Sequence, residues 1–120
     1  MPKYRHLELL NGGPVSKVRL LNHRPYDYGG DAVAELAGEW NSVADGADCR
    51  SLVVDCSNVC HLSSEMLSKL ILLQRRLKRK EGKLILCGIS PDAREVFRWT
   101  KLDRIFEIEE NEQQEAAAFV

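Results

Sequence analysis

Two short apolar runs, Leu52-Val53-Val54 and Lys83–Cys87 (KLILC), enclose one helical repeat, and nothing else in the chain limits its fold as much. The first run ends in Asp55-Cys56-Ser57-Asn58, polar and turn-forming residues that stop a buried strand. Between the runs, Met66, Leu67, Leu70, Ile71, Leu73 and Leu77 recur at spacings of three and four. They therefore share one face of a helix that the pattern places from Ser64 to Lys80. Gly82 stops that helix, and the second run reads as the next buried strand. Ser63 and Ser64 stand where the loop enters the helix. A hydroxyl there suits the addition or binding of a phosphate, because free backbone N–H groups and the helix dipole favour negative charge.

The remainder of the chain extends this unit. Tyr4–Leu10 alternates loosely up to the turn signal Asn11-Gly12-Gly13-Pro14, and Val15–Leu21 follows, so an N-terminal hairpin is expected. Asn22-His23-Arg24-Pro25 and Tyr26–Gly30 read as loop, with Asp31 as N-cap. A helix from Ala32 to Val43 then puts Val33, Leu36, Ala37 and Trp40 on one side. After Gly88-Ile89-Ser90-Pro91, a short helix over Asp92–Trp99 has Ala93, Val96 and Phe97 as inward positions. Leu102 is an apolar anchor in the link, Ile105–Ile108 reads as the last strand, and Glu109–Val120 as a glutamate-rich helix that packs an alanine edge. Trp40 and Trp99 read as core or rim anchors. Strands alternating with helices indicate an α/β domain over residues 1–120: a mixed sheet, parallel after the hairpin and flanked by helices.

Composition removes several function classes. The 120 residues are 44% hydrophobic and 29% charged, ordinary for one globular domain. A formal net charge of -1 gives no global reason for nucleic acid or an anionic membrane as partner. No apolar run approaches a bilayer-crossing length and MPKYRHLELL has no signal-peptide core, so membrane insertion is not expected and a cytoplasmic location is. Cys56, Cys60 and His61 invite a metal or thiol reading, but that spacing lacks the second ligand pair of a structural zinc site. Cys56 and Cys87 read instead as small buried hydrophobes. The basic run Arg75-Arg76-Leu77-Lys78-Arg79-Lys80 reads as a solvated helix end, where cations complement the dipole, its charge offset by the glutamates from Glu107 onward. There is no phosphate-binding glycine loop, nucleophile elbow or His-Glu metal motif, so neither catalysis nor a cofactor or metal is expected.

Val53–Val59, with Leu62 in the hydrophobic place before the helix, resembles the strand end and loop of the STAS domain family. KLILCGISP over Lys83–Pro91 is similar to that family's strand followed by Gly/Ala-x-Ser-Pro, and Val96–Phe106 resembles its closing helix, turn and strand. The family includes bacterial anti-sigma factor antagonists and the cytoplasmic domains of sulfate transporters. Matched by spacing from Ser57-Asn58-Val59, the family's phosphoacceptor serine falls on Ser64. Its usual Asp, Ser/Thr and Gly neighbours are replaced by Ser63, Glu65 and Met66. Asp27 is the loose counterpart of an aspartate in the family's N-terminal loop, and a solvated loop residue is its plainer reading.

The resemblance implies a regulatory protein that binds an anti-sigma factor, a serine kinase in the family, and so releases a sigma factor. It implies a partner surface built from His61, Leu62, Ser63, Ser64, Glu65 and Met66, with Asp27 and Ser90 nearby, switched by phosphorylation of Ser64. Glu65 sets a permanent carboxylate beside that serine, which suggests a switch biased toward its charged state. The alternative keeps the fold: an unphosphorylated accessory module docking on a membrane transporter or a larger signalling assembly.

Overall fold

The computed structural model describes residues 4–21, 31–59 and 62–109. Five strands and three helices alternate along them: β1 (Leu7–Asn11), β2 (Val15–Leu20), α1 (Asp31–Ala44), β3 (Ser51–Asp55), α2 (Ser64–Lys78), β4 (Leu84–Cys87), α3 (Pro91–Trp99) and β5 (Glu107–Glu109). The sheet runs in chain order, β1-β2-β3-β4-β5. β1 and β2 form the expected antiparallel hairpin, and every later pairing is parallel. The register sets Val18, Val54, Leu86 and Ile108 in one row across the sheet, and Lys17, Val53, Ile85 and Glu107 in the next. Because alternate residues face opposite sides, these rows belong to opposite faces.

The first face carries the main core. Val18, Leu20, Leu52, Val54, Leu84 and Leu86 cluster with Val33, Leu36, Ala37 and Trp40 of α1 and with Met66, Leu67, Leu70, Leu73 and Leu77 of α2. On the opposite face a smaller cluster joins Val53, Ile85 and Cys87, with Val15 packed against it. All five residues of β3 are buried. That is why its sequence runs apolar without alternating, as a strand covered on both faces requires.

Three expectations are corrected at the C-terminal end. Val96 is not an inward position: α3 buries only Ala93 and Phe97, and Val96 is exposed. Trp99, expected as a core or rim anchor, is 83% exposed, because the helix ends at Thr100 and the chain turns away at Lys101, in the left-handed region with φ 62°. The last strand is not Ile105–Ile108. A 3-10 turn over Leu102–Arg104 leaves Ile105 exposed, so Phe106 enters the core instead and meets Phe97 edge-on at 5.7 Å between ring centres. The basic end of α2 also differs from a purely solvated one. The Lys80 ammonium donates to the carbonyls of Ala44, Gly46 (3.3 Å) and Cys49 (2.6 Å), and Arg76 pairs with Asp45 at 2.9 Å. α1 has no basic residue in its own last turn, so α2 supplies the cation its C-terminus lacks. The readings made for Asp27, Cys60, His61, the Asn22–Gly30 loop and the tail after Glu109 lie outside the described residues.

At the C-terminal end of β3, the Asp55 carboxylate accepts from the Ser57 backbone N–H (2.9 Å) and from the Arg19 guanidinium of β2 (3.1 Å). Burial alone would raise its pKa, but the Ser57 backbone, the Ser57 hydroxyl and Arg19 together hold it below the ordinary 3.8. Gly88, just after β4, passes directly over this group at φ +68°, and a Cβ there would lie 2.8 Å from both Asp55 Oδ1 and Ser57 N. Gly88→Ala is therefore expected to destabilise the fold by about 2 kcal/mol, from the left-handed backbone and the clash together. A urea midpoint unchanged from wild type would show that the two strand ends do not meet this closely. Because the Asp55 pKa is depressed on folding, its contribution is complete above pH 3.8 and is lost as pH falls through the lowered value. Asp55→Asn should thus cost on the order of 1–3 kcal/mol at pH 7 and much less at pH 3. Urea unfolding of both proteins at the two pH values checks this, and a pH-independent difference would count against it.

Candidate functional site

The loop from β3 into α2 is held from three sides before any exposed group appears. Cys56 N–H donates to the Cys87 carbonyl (2.8 Å), extending the β3–β4 ladder by one step, and Val59 N–H closes a turn onto the Cys56 carbonyl (2.9 Å). Asn58 Nδ2 donates to the Leu20 carbonyl at the end of β2 (3.3 Å). Val59 and Leu62 are both buried in the main core. The side-chain period of α2 then decides which loop-end residues face in and which face out.

Ser63 and Ser64 have different roles. Ser63 is the N-cap: its backbone is extended and its hydroxyl accepts from Met66 N–H at 3.1 Å. Its carbonyl accepts the first helical bond, from Leu67 N–H at 3.0 Å. Ser64 is the first helical residue and is exposed, and its hydroxyl makes no hydrogen bond among the described residues. One turn on, the Ser68 hydroxyl donates to the Ser64 carbonyl (3.0 Å). Glu65 is exposed beside it, in the first turn, where a carboxylate suits the helix dipole. Leu62 and Met66 face inward. Both are buried, Met66 fully, because positions 66, 70, 73 and 77 form the inward stripe of α2.

Ser90 occupies the equivalent junction one strand further along. Its hydroxyl accepts from Ala93 N–H (3.2 Å) and caps α3. β3 and β4 are parallel, with Asp55 level with Cys87, so the Ser63–Glu65 and Ser90 junctions leave the sheet at the same end. In open α/β sheets that end is where ligands and partners are met. β2 also finishes there, level with Asp55 through Arg19.

The described cysteines are all buried. Cys49, Cys56 and Cys87 lie in the interior outside any disulfide. Burial above all, with Cys87 and Asp55 nearby, pushes the Cys56 thiol far up, so it stays protonated and unreactive. Among the described residues no three His, Cys, Asp or Glu side chains converge to hold a metal. Two features of the site were not read from sequence. Gly88 looked like a turn residue, and only its closeness to Asp55 shows that it locks the loop. Arg19, inside the Val15–Leu21 run and without a role assigned from sequence, bridges Glu8 (3.8 Å) and Asp55.

Comparison with known proteins agrees with this architecture. Over 70 residues the chain is 33% identical to BtrV of Bordetella bronchiseptica, a protein named as a candidate anti-sigma factor antagonist; the match spans 58% of this chain and 60% of that one. Among solved structures, the fold is similar to an anti-sigma-factor antagonist (STAS) domain protein from Planctomyces limnophilus, with a TM-score of 0.75 at 20% identity over 93% of this chain and 96% of that one. It is also similar to the anti-sigma factor antagonist SpoIIAA in its unphosphorylated form, with a TM-score of 0.72 at 17% identity over 93% of each chain. The Bacillus SpoIIAA in its phosphorylated form matches with a TM-score of 0.66 at 16% identity, over 93% of this chain and 98% of that one. The STAS domain model matches residues 23–115, most of the length, and this chain belongs to the STAS domain family.

Proposed function

We propose that this chain is an anti-sigma factor antagonist that binds a kinase-type anti-sigma factor through the exposed start of α2, and that phosphorylation of Ser64 weakens the complex. The observation that carries this reading is the division of labour between the two serines. Ser63 caps the helix, which leaves the Ser64 hydroxyl exposed and free of hydrogen bonds among the described residues. A kinase can reach such a hydroxyl without opening the fold. Ser64 and Glu65 lie before the first helical N–H bond, which belongs to Leu67, so their N–H groups and the dipole favour a phosphate there.

The partner-contacting set in this reading is Ser63, Ser64 and Glu65, with Asp27, His61 and Ser90 as neighbours, while Leu62 and Met66 support it from the core. A phosphate adds roughly two negative charges beside the Glu65 carboxylate, which turns a docking surface into a repulsive one for a partner that fits the unmodified loop. The role is regulatory and not catalytic, and it is exercised in the cytoplasm. No helix among the described residues is long and apolar enough to cross a membrane. The relatives reported above are named as anti-sigma factor antagonists, which favours this reading over a transporter-docking module.

Binding of the cognate anti-sigma factor to wild type, Ser64→Ala and Ser64→Glu, measured by calorimetry, tests the switch. Wild type and Ser64→Ala should bind alike and Ser64→Glu at least tenfold more weakly; equal affinity for all three would remove Ser64 from the switch. Ser63→Ala separates the two serines. It should cost about 1 kcal/mol of stability through the lost cap, yet leave Ser64 as the residue found phosphorylated by mass spectrometry after incubation with the kinase. Phosphate on Ser68 instead would move the switch one turn along α2.

A further inference from the structure

On the outer side of the helical layer, α1 and α2 enclose a groove of about 420 Å³. Its α1 wall is Ala34, Ala37, Gly38 and Asn41, positions i, i+3, i+4 and i+7 of one ridge. Its α2 wall is Lys69, Leu72, Arg75, Arg76 and Arg79, a second ridge of the same repeat. One wall is therefore almost without side chains, and the other is cationic around a leucine that is 54% exposed. Arg76 is held by Asp45, but Lys69, Arg75 and Arg79 have no carboxylate partner among the described residues. Three cations with no carboxylate partner among the described residues, set around an exposed apolar side chain, are an unusual surface for a chain of net charge -1.

We propose that this groove is a docking site for an acidic amphipathic helix of a partner protein. Two parallel ridges spaced by threes and fours leave a channel that a third helix fills by the same ridge-into-groove packing. Its apolar residues lie on Leu72 and on the floor at Ala34, Ala37 and Gly38. Its carboxylates meet Lys69 at one end, Arg75 nearly two turns further on, and Arg79 one turn after that. Lys69 to Arg79 spans about 15 Å, so a partner helix of three turns covers the groove. The concavity argues against a bilayer, which would touch the arginines and leave the α1 floor uncovered. The long Lys and Arg stems add apolar contact around Leu72 that a phosphate backbone would not use.

The site rests on reading the chain as a protein-binding module but is independent of the serine switch. Leu72 is eight residues, about 12 Å, along α2 from Ser64, beyond one screening length at physiological salt. The two ideas therefore fail separately.

The probe is a synthetic fifteen-residue helical peptide with leucines at i, i+4 and i+7 flanked by glutamates, titrated into the full chain by fluorescence anisotropy and followed by amide NMR. Binding should be micromolar, weaken at least tenfold from 50 to 500 mM NaCl, and shift the amides of Ala34, Ala37, Gly38 and Leu72. Gly38→Leu fills the floor without a clash, since a Cβ at that position meets nothing within 4 Å, and should weaken binding at least tenfold. Arg75→Glu with Arg79→Glu, both at exposed positions, should do the same and gain affinity for the lysine-for-glutamate peptide. Ser64→Glu should leave the peptide affinity within twofold. Amide shifts elsewhere, indifference to Gly38→Leu, or binding to phosphatidylserine vesicles without binding the peptide would each overturn the proposal.

Discussion

The Asp55 carboxylate is the point at which three strands and one loop are joined. It ends a strand with every residue buried, takes the Arg19 guanidinium from β2, and holds the Ser57 N–H of its own loop. Gly88 brings the end of β4 over the same oxygen, within a distance no other residue type allows. A carboxylate at 8% exposure carries a desolvation cost, and it is tolerated only because each neighbour donates to it. This bond set anchors the first part of the loop at Ser57, six residues before Ser63. The approach to Ser63 and Ser64 thus starts from an ion pair inside the sheet, not from the serines themselves.

From that anchored start, α2 gives each of its faces a different task. Positions 66, 70, 73 and 77 fill the core, and the first turn carries Ser64 and Glu65 outward. Ser64, Ser68, Leu72, Arg75 and Arg79 follow one another at spacings of three and four, so a single exposed stripe links the helix start to the groove beside α1. A partner seated on the groove would lie beside the serine without covering it.

Most of the framework was legible because periodicity alone determines it. The runs at Leu52–Val54 and Leu84–Cys87, the α1 set Val33, Leu36, Ala37 and Trp40, and the hairpin around Gly12-Gly13 all appear where their patterns place them. What failed depended on one-residue registers. Ile105 and Phe106 are equally good strand residues, and only the 3-10 turn after Lys101 decides that Phe106 goes inward. α3 has two and a half turns, too few for its pattern to separate Val96 and Trp99 from Ala93 and Phe97. At the site, Met66 met two requirements at once, a place in the partner motif and the first position of the inward stripe, and the period of α2 prevailed.

The basic run shows a different limit. In sequence its cations are equivalent, all near a helix C-terminus and all compatible with solvent. In the fold they divide by what the neighbouring helix offers. Lys80 reaches the bare carbonyls at the end of α1, and Arg76 finds Asp45, both consequences of where α1 stops. Arg75 and Arg79 line the groove with Ala34, Ala37 and Gly38, residues too short to answer them, and Lys69 completes the same wall nearly two turns earlier. The small residues leave room beside those charges, and a charge left with room and with no counterion among the described residues is one that a partner could neutralise. Two cations of the run hold the helices together, and the others are available to the outside only because those two fix the spacing between α1 and α2.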